Sequence, residues 1–157
     1  MAAPDPDTRP VLIAYDGSDF AKAAIEEAAR QLAPKREAIV LSVREPTDAI
    51  PFLGVGGMPA DQGTVDAVLA DTESGAEEVA AEGARLALDA GLSASASVEL
   101  GSPVWQRIVE VADERDAGLI VLGSRGHSGL SYVLLGSVAT AVAQHSKRSV
   151  MVVHTKA

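Results

Sequence analysis

Apolar residues form two kinds of pattern along this chain. The runs Pro10-Val11-Leu12-Ile13-Ala14-Tyr15, Ala38-Ile39-Val40-Leu41-Ser42-Val43, Leu119-Ile120-Val121-Leu122 and Val150-Met151-Val152-Val153 are nearly continuous, as strands covered on both faces require. Between them the apolar positions recur at helical spacing. Ala21, Ala24, Ile25, Ala28, Ala29 and Leu32 fill one helix face and leave Lys22, Glu26, Glu27 and Arg30 to solvent; Ser18 or Asp19 caps the start and Pro34 stops the end.

A second helical pattern runs from about Asp61 to Ala90 through Val65, Val68, Leu69, Ala76, Val79, Ala80, Leu86 and Ala87, with Thr72 to Gly75 as a candidate interruption and Gly91 as the stop. Ser95 to Leu100 is a weaker strand. Ser102-Pro103 predicts a third helix with serine as the cap and proline at the first helical position. Its inner face is Val104, Ile108, Val111 and Ala112, with Trp105 alongside as a core or interface residue. Ser137 begins a last helix ending near His145.

Strands alternating with helices in this way predict the α/β class, a doubly wound parallel sheet with right-handed crossovers. At 157 residues the chain fits one domain. Residues 1–9, rich in proline and aspartate, read as a disordered leader and residues 10–157 as the domain. The segment 45–60 holds Pro46, Pro51, Pro59 and Gly54-Val55-Gly56-Gly57; it is long for a compact domain and reads as a lid or insertion.

Composition narrows the function. There is no cysteine, which excludes disulfides and thiolate metal sites. No apolar run approaches the roughly 18 residues of a membrane span, and the first residues lack the apolar stretch of a signal peptide, so the expectation is a cytoplasmic protein with no membrane partner. Thirteen basic against 22 acidic residues give a net charge of −9, which repels nucleic acid. A mononucleotide is different, because a few amides and one arginine can hold it whatever the global charge.

In a doubly wound sheet ligands bind beyond the carboxyl ends of the strands. Two segments follow strands there: Asp16-Gly17-Ser18-Asp19, and Gly123-Ser124-Arg125-Gly126-His127-Ser128-Gly129. The glycines of the second offer positive φ and close approach of backbone to an anion, Ser124 and Ser128 add hydroxyls, and Arg125 adds a permanent charge. Gly136-Ser137, opening the last helix, supplies a second half; Ser137 caps that helix or donates to a phosphate oxygen. Neither Gly-x-x-x-x-Gly-Lys-[Ser/Thr] nor a Gly-x-Gly-x-x-Gly after the first strand occurs, so a Walker triphosphatase and a dinucleotide fold are unsupported. The three histidines are too scattered for a metal site by spacing.

The spacing Gly123, Gly126, Gly136, Ser137 resembles the Gly-x2-Gly-x9-Gly-[Ser/Thr] motif of ATP-binding universal stress proteins. The similarity extends from Val11-Leu12-Ile13-Ala14-Tyr15-Asp16-Gly17-Ser18 to Ser149-Val150-Met151-Val152-Val153, with Gly118 standing where the family commonly has aspartate. The resemblance implies a five-stranded sheet in order 3-2-1-4-5, helices on both faces. It implies adenosine held by Asp16 and the backbone around Ala14 and Val43, and phosphates held by Gly123, Arg125, Gly126, Gly136, Ser137 and Val138, often with Mg²⁺ or Mn²⁺. It also implies a homodimer through strand 150–153, an apolar edge that would otherwise be an aggregation hazard.

The expected function is therefore an ATP-binding stress-response or regulatory switch with no catalytic residues. Cyclic AMP at the same site is a variant that sequence does not separate. An ATP-cleaving enzyme of the adenine nucleotide α-hydrolase fold is a second class; it needs a Ser-Gly-Gly-x-Asp-Ser-like loop that Asp16-Gly17-Ser18-Asp19 does not match, which leaves only slow hydrolysis. A structural dimerisation module without a ligand is the third, and the intact glycines argue against it.

Overall fold

The computed structural model describes residues 8–46, 61–126 and 135–155. Five strands, β1 (Val11–Ala14), β2 (Glu37–Arg44), β3 (Ser93–Leu100), β4 (Leu119–Gly123) and β5 (Ser149–Val153), alternate with four helices, α1 (Asp19–Gln31), α2 (Gln62–Asp89), α3 (Val104–Glu114) and α4 (Ser137–His145). The strands form one parallel sheet in the order β3-β2-β1-β4-β5. The expected class and strand order both hold.

The continuous apolar runs are explained by the two layers of core. Val11, Ile13, Val40 and Val121 point to one face, where Ala24, Ile25 and Ala28 of α1 and Ala84 and Ala87 of α2 cover them. Leu12, Ile39, Leu41, Ile120 and Leu122 point to the other and meet Ile108 and Val111 of α3 and Ala139 and Val142 of α4. Alternation is present, but both sets are buried. Each fully buried aliphatic side chain contributes roughly 1.5–3 kcal/mol.

Several local expectations are corrected. α2 is not interrupted at Thr72 to Gly75: the Thr72 hydroxyl donates to the Val68 carbonyl at 2.8 Å and the helix continues to Asp89. Gly91, at φ +103°, ends it. Pro103 stands at the cap of α3, one position before the helix, so Ser102 is not its cap. β3 begins at Ser93, two residues earlier than its weak pattern suggested, because Glu37 and Ala38 of β2 continue the pairing. Arg9, assigned to the leader, has its carbonyl accepting from Arg36 Nε at 2.9 Å; residues 1–7 lie outside the described residues.

Candidate functional site

A cavity of about 530 Å³ opens beyond the carboxyl ends of β1, β2 and β4. The sheet order reverses between β1 and β4, and a doubly wound sheet forms its crevice where that happens. Ala14, Asp16, Val43, Gly123, Arg125, Gly126, Gly136, Ser137 and Val138 all line this cavity, so these nine residues come to one place, while Ser124 is buried outside its lining. Leu41, Val104, Ile108 and Leu122 complete an apolar wall that spacing did not assign to the site. The signal for them existed, since Val104 and Ile108 mark the inner face of α3. Their distance in sequence from β1 hid the shared cavity.

Each element delivers its residue for a local reason. Ser18 caps α1 by accepting from the Ala21 amide at 3.2 Å, and the Asp16 carboxylate accepts from the Ser18 amide at 3.0 Å. Asp16 thus stands at the mouth, where β1 turns into α1, with Gly17 at φ +82° making the turn. The two glycine segments are tied together by the Gly136 amide, which donates to the Ser124 carbonyl at 2.6 Å, while the Ser124 amide donates to the Val153 carbonyl at 2.8 Å.

The glycines serve contact rather than unusual dihedrals. Among described glycines only Gly17 and Gly91 have positive φ, so the expectation of positive φ at Gly123 and Gly126 is wrong. A Cβ at Gly123 would lie 2.7 Å from the Phe20 carbonyl oxygen, and one at Gly126 would lie 2.8 Å from Asp16 Oδ2. The end of β4 and the start of α1 meet too closely for any side chain. His127, Ser128 and Gly129 lie outside the described residues, as does segment 47–60, on which the lid reading falls.

Ser137 is the first residue of α4 and not its cap; the cap position is Gly136, which has no side chain to bind the first amides. At α1 and α2 the Ser18 and Asp61 side chains take that role. The first turn of α4 therefore presents amides and the positive end of its dipole to the cavity through Ser137, Val138 and Ala139. Arg125 adds a guanidinium that makes no ion pair among the described residues; it lies over the Phe20 ring, 5.9 Å from guanidinium carbon to ring centroid.

Two aromatic side chains differ in their relation to the site: Tyr15 lines the cavity and Trp105 does not. Trp105 stacks on His145 at 4.5 Å between α3 and α4 and does not line the cavity. The Tyr15 hydroxyl is buried and has no hydrogen-bond partner among the described residues; burial, reinforced by Glu82 and by the charge of Asp16, pushes its pKa up to about 12. Among the described residues no group of three or more His, Asp or Glu is disposed to hold a metal ion. None of the described helices is long and apolar enough to cross a membrane.

The model of the universal stress protein family matches residues 7–154. Universal stress protein MJ0531 of Methanocaldococcus jannaschii is 31% identical over 143 residues, covering 91% of this chain and 80% of its own. Among solved structures, that of MJ0577 has a TM-score of 0.77 at 22% identity, covering 96% of this chain and 98% of its own. A universal stress protein in complex with cAMP has a TM-score of 0.59 at 28% identity, covering 95% and 98%. The universal stress protein from Archaeoglobus fulgidus in complex with dAMP has a TM-score of 0.59 at 23% identity, covering 92% and 96%. With a family model spanning almost its whole length and the expected sheet order, this chain belongs to the universal stress protein family.

Proposed function

We propose that the protein binds ATP in the cavity at the carboxyl ends of the strands and acts as a stress-response or regulatory switch rather than as an enzyme. The observation that carries this reading is the division of one cavity into two chemistries. Leu41, Val43, Val104 and Ile108 form an apolar wall suited to a purine. The same cavity is lined by Arg125 and by the first turn of α4, which has no side-chain cap, groups suited to phosphates. The volume of about 530 Å³ falls within the ordinary range of small-ligand sites. Relatives of the same fold in complex with cAMP and dAMP support an adenine nucleotide as the ligand class.

Asp16 at the mouth and the backbone at Ala14 and Val43 are the groups for adenosine; Gly123, Arg125, Gly126, Gly136, Ser137 and Val138 are those for the phosphate chain. Mg²⁺ or Mn²⁺ accompanies the phosphates in this reading; the described side chains make no chelating set of their own. Any ATP hydrolysis is slow in this reading, since Asp16-Gly17-Ser18-Asp19 does not match the loop that an ATP-cleaving enzyme of this fold needs. In this reading the protein is cytoplasmic.

A homodimer through residues 150–153 belongs to the same reading. β5 is an edge strand paired only with β4, and its Val150, Met151 and Val152 are half-buried in the single chain. The other edge, β3, begins Ser93-Ala94-Ser95-Ala96-Ser97 and is less apolar over that stretch, with Leu100 exposed at its end. Val152→Lys is expected to give monomers in sedimentation velocity.

Calorimetric titration of nucleotide-free protein with ATP, ADP and cyclic AMP, with and without Mg²⁺, tests the ligand. Saturable heat with ATP at one site per chain is expected; no heat with any of the three would remove the proposal, and preference for cyclic AMP would replace ATP as the ligand.

A further inference from the structure

We infer that Phe20 is a positioning residue that holds the Arg125 guanidinium toward the phosphate side of the cavity, so that the affinity step between adenosine and ATP depends on an aromatic ring outside the glycine motif. The inference rests on the nucleotide reading above and adds a determinant that the motif does not contain.

Phe20 is the second residue of α1 and does not line the cavity. Its carbonyl oxygen stands where a side chain on Gly123 would be, at 2.7 Å from the ideal Cβ position. This close approach fixes the first turn of α1 against the end of β4, and the ring comes to lie under Arg125 at 5.9 Å. The distance is within the roughly 6 Å over which a guanidinium is attracted to an aromatic face.

The contrast with Arg107 and Arg148 gives the contact its meaning. Arg107 is held by Glu99, Glu110 and Glu114, and Arg148 by Asp113 and Asp116. A carboxylate partner would hold Arg125 equally well, yet it would neutralise the charge and compete with an incoming phosphate. An aromatic face restrains the side chain and leaves all five N–H donors and the full charge available. The long arginine side chain otherwise loses rotamer freedom on binding, and pre-ordering it reduces that loss.

Two measurements test this. In ligand-free protein the Arg125 Nε–Hε resonance should carry a ring-current shift that Phe20→Leu removes and Phe20→Tyr retains; a resonance unchanged by Phe20→Leu overturns the pairing. In calorimetry, Phe20→Leu should weaken ATP roughly three- to tenfold, the range of one such contact, while adenosine affinity changes less than about twofold and Phe20→Tyr restores ATP binding. In an Arg125→Ala background Phe20→Leu should add nothing. Equal weakening of ATP and adenosine, or the same loss without Arg125, would mean that Phe20 only supports the fold. Failure of the wild type to bind either ligand would instead overturn the nucleotide reading, a result the resonance measurement keeps separate.

Discussion

The two ends of the sheet treat arginine in opposite ways. At the amino end Arg148, just before β5, donates from Nε to Asp113 at 2.8 Å and from Nη1 to Asp116 at 2.8 Å and to the Ala117 carbonyl at 3.0 Å. Arg9 approaches the same Asp116 at 4.0 Å. These contacts hold Asp116 below the usual carboxylate range, first through its hydrogen bond to Arg148, and hold Arg148 above its ordinary value. At the carboxyl end Arg125 makes no ion pair among the described residues and has an aromatic ring beneath it and a cavity in front. One arginine is committed to joining α3, β4 and β5, and the other is kept available. The difference teaches that an arginine free of an ion pair, as Arg125 is among the described residues, keeps its charge for a ligand, whereas Arg148 spends its charge on structure.

Substitutions at the two ends should therefore separate cleanly into effects on binding and effects on stability. Gly126→Val is the largest expected effect: its Cβ meets the Asp16 carboxylate and its methyls enter the cavity. ATP affinity should fall at least about 100-fold, roughly 2.8 kcal/mol, while thermal unfolding of the free protein changes little. Unchanged affinity in calorimetry would break the comparison. Gly91→Ala, at φ +103° far from the cavity, should do the reverse and cost about 1–2 kcal/mol in urea unfolding with ATP affinity intact.

Arg125→Ala should weaken ATP about tenfold, roughly 1.4 kcal/mol, without a matching loss of stability. Arg148→Ala should cost about 1 kcal/mol of stability, given the exposure of its partners, with ATP affinity unaltered. The sign of its pH dependence follows from Asp116: a carboxylate depressed in the folded state stabilises above its unfolded value and loses that contribution as pH falls through the folded one. The gap between wild type and Arg148→Ala should narrow below about pH 4 in denaturation curves.

The smallest expected effect concerns Tyr15. With Tyr132→Phe removing the second tyrosine, ultraviolet titration should place the ionisation of Tyr15 near 12. The neutral phenol is favoured in the folded state, so its contribution is present below the unfolded value near 10 and lost as pH rises from there toward 12. A midpoint near 10 would mean that the ring is not buried against Gly83 of α2, where a Cβ would fall 2.7 Å from it.

Much of this was legible in the residues because the strands are buried on both faces and the helices on one, so their patterns differ in kind. Val11 to Ala14 and Ala21 to Leu32 could be assigned from periodicity alone. The candidate site was legible as a set of positions because the spacing of Gly123, Gly126, Gly136 and Ser137 resembles a family motif, and Ala14, Asp16 and Val43 were assigned to it only through that resemblance. The reason for the glycines was not. Gly123 answers to Phe20 and Gly126 to Asp16, contacts between segments remote in sequence that no local rule contains. The continuity of α2 was hidden for a related cause: Thr72 and Gly75 weaken a helix on average, but the Thr72 hydroxyl finds the Val68 carbonyl of the preceding turn. The cap of α4 was misplaced by one residue because serine is the commoner cap and glycine leaves no side-chain signal.

The central claim is that the carboxyl-end cavity, and not the charged amino end, receives an adenine nucleotide. Backbone amide shifts recorded while ATP is added to isotopically labelled protein test it most directly. The account predicts that Val43, Gly123, Gly126, Gly136, Ser137 and Val138 move together and saturate, with Asp113, Asp116 and Arg148 unmoved. Shifts centred on those last three, or no saturable shift at all, would contradict it.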